Sequence, residues 1–191
     1  MRMRPLSIGL VAALTLVLAV CGCTPGGNGG GDPVPGGQGI PEGSYSGTLQ
    51  CTETTSVITE DEQETVLGTS NPSFQVTYSF GENGIILDSG GDPVVVGAQE
   101  TVTIAGATGQ ATIRSVTTSV DRLEVVADAE ATVNVPQRGE RFMLGVVTAV
   151  YEFAEPNTVT VSSDKVFTSN LVDGEFAKVV AQCAATLAYG G

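Results

Sequence analysis

The chain contains no histidine and no tryptophan, and only two of its 191 residues are lysine, Lys165 and Lys178. Without histidine there is no Ser-His-Asp or Cys-His catalysis in its usual form and no His-ligated zinc, iron or copper. The ordinary side-chain proton switch near neutral pH is missing too. With no Trp, six Phe and four Tyr, the chain has few platforms on which a sugar could stack. Positive charge is scarce: eight Lys and Arg stand against 21 Asp and Glu, a formal net charge of −13. Such a surface repels phosphates and anionic headgroups, so nucleic acid is excluded as an electrostatic partner. No Walker loop, dinucleotide fingerprint or Gly-x-Ser-x-Gly elbow occurs in a strand-turn-helix context, and no Ser-x-x-Lys supports a Ser-Lys dyad. Ser162-Ser163-Asp164-Lys165 reads as strand-end polarity. No cofactor is expected, and the chain does not read as an enzyme.

One long apolar run is present. Arg2 and Arg4 precede Leu6 to Val20, which is interrupted only by Ser7, Gly9 and Thr15. As a helix these residues reach about 22 Å. A hydrocarbon core is about 30 Å thick, so the run reads as a signal h-region rather than a membrane span. It ends in Leu18-Ala19-Val20-Cys21-Gly22-Cys23. Val20, a tolerant position, Gly22 and Cys23 resemble the lipobox of bacterial lipoproteins. The alternative, Cys21, would put the bulky Val20 at the small-residue position. The resemblance implies a signal peptide over 1–22, lipidation of Cys23 and anchoring of the mature chain to a membrane. Thr24 rather than Asp after the cysteine implies an outer-membrane destination.

Residues 24–42 hold eight Gly and four Pro among 19 positions. They cannot bury enough apolar area to offset ordering entropy, so they read as a tether spanning roughly 25 Å.

Residues 43–191 read as one all-β domain. Alternation is clean at Phe74, Val76, Tyr78 and Phe80, and again at Leu123, Val125, Ala127, Ala129, Ala131 and Val133. Phe142 to Ala154 is apolar on both faces, which predicts a central or covered strand. Gly106-Ala107-Thr108-Gly109 reads as a hairpin turn, and shorter strands are expected near 54–59, 84–88 and 93–97. About eight to ten antiparallel strands follow in a meander. Two architectures fit it, an up-and-down β-barrel and a β-sandwich. Gly43-Ser44-Tyr45-Ser46-Gly47 is similar, in one glycine and one aromatic, to the opening strand of lipocalin-like barrels.

Cys51 and Cys183 fall on the apolar faces of the first and last strands, one with Tyr45, Gly47 and Leu49, the other with Val179, Ala181, Ala185 and Leu187. In an oxidising compartment they are expected to form one structural disulfide, and a barrel brings those strands together. The acidic run Glu60, Asp61, Glu62, Glu64 reads as a solvated loop. Asp88 and Asp92, around Ser89-Gly90-Gly91, are weak calcium candidates. They lack EF-hand spacing, and the segment is ordinary turn chemistry, so no metal is expected.

Three roles remain open at this point. One is a lipid-anchored, non-enzymatic envelope domain that is structural or binds another protein. The second is a barrel binding a small hydrophobic ligand, with Ala127, Ala129 and Ala131 leaving room. The third is a carboxylate-based hydrolase.

Overall fold

The computed structural model describes residues 40–82, 85–87, 91–155, 157–171 and 174–190. Cys21, Cys23, the signal and most of the tether lie outside the described residues, as do Asp88, Ser89 and Gly90.

Ten strands make one sheet: β1 Gly43–Ile58, β2 Glu64–Ser70, β3 Ser73–Phe80, β4 Ile86–Leu87, β5 Gln99–Ile104, β6 Ala107–Thr118, β7 Arg122–Val135, β8 Gly139–Glu155, β9 Thr158–Asn170 and β10 Phe176–Tyr189. Their order is β4-β3-β1-β10-β9-β8-β7-β6-β5, with β2 also on β1, and every pairing is antiparallel. β2 and β3 form one long partner of β1 interrupted by Asn71-Pro72. Glu53 faces Ser70 and Gln50 faces Ser73, so the register continues across the interruption. A proline lacks the ladder N–H and forces the preceding residue out of line, which is why the pairing pauses there. The Pro72 carbonyl still accepts the Cys51 N–H at 2.9 Å.

The sheet curls on itself. Tyr78 of β3 meets Tyr151 of β8 edge-on at 5.2 Å, although three strands lie between them. Lys165 of β9 reaches the Thr103 carbonyl of β5 at 2.8 Å, again across three strands. These contacts run across the concave side of the curl, so one continuous sheet wraps the core as a half-barrel rather than two sheets facing each other. The curl is open along a seam between β4 and β5, which end the strand order. The connection spans part of that seam. Val94 N–H donates to the Ile86 carbonyl on one side, and Gly97 N–H donates to the Ile113 carbonyl on the other. The strand expected at 93–97 is therefore a bridging segment, with one isolated pairing of Leu87 to Pro93. The region 54–59 holds the end of β1, and among the described residues of 84–88 the strand is Ile86–Leu87.

Period two sets the inside and the outside. On β9, Val159, Val161, Ser163, Lys165 and Phe167 are buried while Thr160, Ser162, Asp164 and Thr168 are exposed. The interior holds two apolar clusters. One, at the β1 start, is aromatic: Tyr45, Phe80, Tyr151 and Phe153 pack edge to face. The other is built on small residues, including Ala127, Ala129, Ala131, Ala177 and Ala181. Small inward residues let strands curve tightly around the few large ones. Gly145 shows this directly, because a Cβ there would stand 2.7 Å from the Phe167 ring and against the Val166 carbonyl. Gly145→Ala should therefore destabilise by about 2–3 kcal/mol through overpacking, read as a lowered denaturant midpoint.

The hairpin between β5 and β6 turns on Ala105 and Gly106, with φ of 47° and 74°. Positive φ at both central residues matches the twist of a two-residue hairpin. The turn is thus centred two residues earlier than the sequence suggested, and Ala107, Thr108 and Gly109 already belong to β6.

Candidate functional site

Cys51 and Cys183 are bonded to each other, with sulfurs 2.07 Å apart, as a directly opposed pair on β1 and β10. Both are buried. The expected structural disulfide is therefore present between the first and last strands.

The acidic run lies in the β1–β2 turn. Glu60, Asp61 and Glu62 are exposed, and Glu62 takes φ of 60° within a turn closed by Thr59 and Gln63. Glu64 is already in β2. It accepts the Ser56 hydroxyl at 2.6 Å and faces Lys178 at 3.6 Å, and these two contacts hold its carboxyl below the usual range. Asp92 is exposed, and its proposed companion Asp88 lies outside the described residues. Among the described residues, no three carboxylates or cysteines gather into a metal-holding group.

Two features fall outside these expectations. The first is a band of polar side chains on the inner side of the curled sheet, between the two apolar clusters. Ser163 and Lys165 do not mark a strand end. They sit in mid-β9 and point inward, and Lys165 is 7% exposed. In register, Lys165 is beside Ala181, which is beside Glu53, itself 5% exposed. The small Ala181 leaves both long side chains space in the same layer. Burial pushes the Lys165 amine below its usual value, and the Glu53 charge opposes that shift. Glu53 accepts the Ser70 hydroxyl at 3.2 Å. Buried Glu100 on β5 completes the band and, after burial and Tyr78, helps hold the Tyr151 hydroxyl protonated.

Within this band the Lys165 ammonium donates to the Thr103 carbonyl and so ties β9 to β5 through the interior. Lys165→Met removes that donor and leaves Glu53 without its buried cation. It should cost about 2–3 kcal/mol, and adding Glu53→Gln should recover part of the loss in equilibrium unfolding.

At the aromatic end, the Tyr45 hydroxyl is buried with no hydrogen-bond partner among the described residues. Burial, then the neighbouring Tyr189, raises its pKa. A lone buried hydroxyl costs about 1–3 kcal/mol. Tyr45→Phe keeps the ring contacts and should leave the melting temperature unchanged or raised.

The second feature is on the outer wall. Outward positions are mostly Ser, Thr, Gln or charged, as at Ser46, Thr48, Gln50 and Thr52 of β1. β8 departs from this pattern. It is central in the sheet, as expected, but its outer face is bare: Phe142 and Leu144 are 57% and 59% exposed and Val146 is 37% exposed. Val146 pairs with exposed Val166, which pairs with Val180, so the stripe crosses three strands. The position of the stripe follows from register. Leu144 is level with Thr168, Lys178 and then Ser56. Ser56 lies 13 residues beyond Gly43, about 40 Å along the strand from where the tether joins.

No protein-family model matches the chain, and no curated protein is similar to it. Among solved structures it is similar to Ail, the attachment invasion locus protein of Yersinia pestis, at 12% identity and a TM-score of 0.38. It is also similar to Neisserial surface protein A, at 11% identity and a TM-score of 0.30. In both cases 78% of this chain and 99% of the other are covered. At those values the likeness carries no functional argument.

Proposed function

We propose that the chain is a lipid-anchored, non-enzymatic envelope protein whose β domain stands in water and docks another protein on its outer wall. The observation that carries this reading is the apolar stripe of β8–β10 on a wall that is otherwise polar. A wall of Ser, Thr, Gln and carboxylates cannot face hydrocarbon, where lipid-facing strand positions are apolar and the lumen is polar. Here the alternation runs the other way. The lipobox-like Val20 to Cys23 and the Gly- and Pro-rich 24–42 supply the anchor and the spacer. Thr24 favours the outer membrane.

The hydrophobic-ligand reading is weaker, because Glu53, Glu100 and Lys165 put charge across the middle of the interior. No described cluster joins a nucleophile to a base, so a hydrolase has no support.

Two experiments test the proposal in cells. Cys23→Ala should move the protein from the membrane to the soluble envelope fraction, and continued membrane retention would count against the anchor. A photo-crosslinking residue at Leu144 should give discrete protein adducts, while one at Thr48 should not. Adducts only to lipid, or equal adducts at both positions, would remove the docking role.

A further inference from the structure

The stripe has a rim, and the rim has a sign. Glu130 faces Leu144 across the β7–β8 ladder, Glu140 stands two residues before Phe142, and Asp164 stands two before Val166. All three are exposed, and among the described residues none of them forms an ion pair. The nearby cations are Arg114, which holds Asp128 at 3.0 Å, Lys178, which faces Glu64 at 3.6 Å, and Arg141, whose guanidinium donates to the Glu140 backbone carbonyl at 3.1 Å. The patch is therefore an apolar centre with a carboxylate border.

Resting on the docking role above, we infer that the partner is a protein surface with an apolar centre bordered by lysine or arginine. Charge complementarity across a rim sets which partner is accepted and how fast it arrives. A second copy of this chain would bring the same carboxylates edge to edge, on a molecule with a net charge of −13. The anchoring membrane is also a poor occupant. The stripe lies about 40 Å along the strands from Gly43, and anionic headgroups would meet the same repulsion.

The test uses the full chain in zwitterionic detergent and two fluorescent probe peptides, one alternating Lys and Leu, the other alternating Glu and Leu. Anisotropy should show the Lys/Leu peptide binding at least about tenfold tighter. Phe142→Ser with Leu144→Ser should weaken that binding about tenfold without changing the net charge. Should that variant fold poorly, Glu130→Lys with Glu140→Lys should reverse the peptide preference instead. Equal affinity for both peptides, or no binding of either, would overturn the basic-partner inference. So would an affinity unaffected by losing Phe142 and Leu144, because bulk acidity would then explain the binding. Sedimentation that reveals a dimer abolished by the serine variant would assign the stripe to a second copy and overturn it too. A Leu144 adduct on protein in cells, combined with no preference between peptides, leaves docking intact and removes only the basic rim.

Discussion

Replacing Cys51 and Cys183 by alanine is expected to lower unfolding free energy by about 5 kcal/mol and the melting temperature by about 15 °C. The bond spans 132 residues of sequence and joins two strands that pair along most of their lengths. In the chain-entropy account, a cross-link of that span removes much of the freedom of the unfolded chain. Its native contribution is local, since both sulfurs sit in the core among Leu49, Ala185 and Val161. The β1–β10 pairing survives in the variant because its register is held by ladder bonds and inward side chains on both flanks. The expected signature is therefore a large shift in midpoint with an unchanged far-ultraviolet spectrum. Loss of the β spectrum at room temperature would mean that the bond creates the pairing rather than securing it.

Raising the pH is expected to unfold the domain cooperatively between about 10 and 12. Burial pushes the Tyr78 hydroxyl up to about 12 and Tyr151 well above its usual value. An unfolded tyrosine releases its proton near pH 10, while the folded one retains it. Between those values the unfolded chain binds fewer protons, so stability falls as pH rises, by about 1.4 kcal/mol per unit for each tyrosine. Over two units Tyr78 alone removes about 3 kcal/mol, and Tyr151 acts in the same sense. Lys165 acts in the opposite sense. Its amine is held low in the fold, so the unfolded chain binds the extra proton and stability rises with pH up to about 10.4. Tyrosinate absorbance followed together with circular dichroism checks the prediction. Tyr78 and Tyr151 should ionise only as the sheet unfolds. Ionisation of all tyrosines with the sheet intact would show that these hydroxyls are wet.

Much of the fold was legible in the alternation of apolar residues. Tyr45, Leu49 and Cys51 on one strand, and Ala181, Cys183 and Leu187 on another, keep strict parity, and parity alone placed both sulfurs inside. The choice between barrel and sandwich was not legible, because the same inward pattern serves either one curled sheet or two flat ones. The continuous order of one sheet decides it, and contacts across its concave side, such as Tyr78 with Tyr151, show that it curls.

The place of Lys165 is hidden in the sequence for a different reason. Four consecutive polar residues, Ser162 to Lys165, look like the end of a strand. Yet the odd positions run Val159, Val161, Ser163, Lys165, Phe167, and continuing that parity would have placed the lysine inside. Its partners, Glu53 and the Thr103 carbonyl, are distant in sequence, so nothing local announces that the charge is satisfied. The apolar outer face of β8 was visible as a double-sided pattern. Apolar residues on both faces usually mean a covered strand, and here the covering element is not among the described residues. That mismatch between pattern and exposure is the strongest pointer to a partner.

Single cysteines placed in turn along β9 of the full-length protein in native membranes, probed with a water-soluble thiol reagent, measure the central claim directly. The account predicts labelling at Thr160, Ser162, Asp164 and Thr168, and protection at Val159, Val161, Ser163 and Phe167. Labelling of the odd positions, with the even ones shielded by lipid, would contradict it.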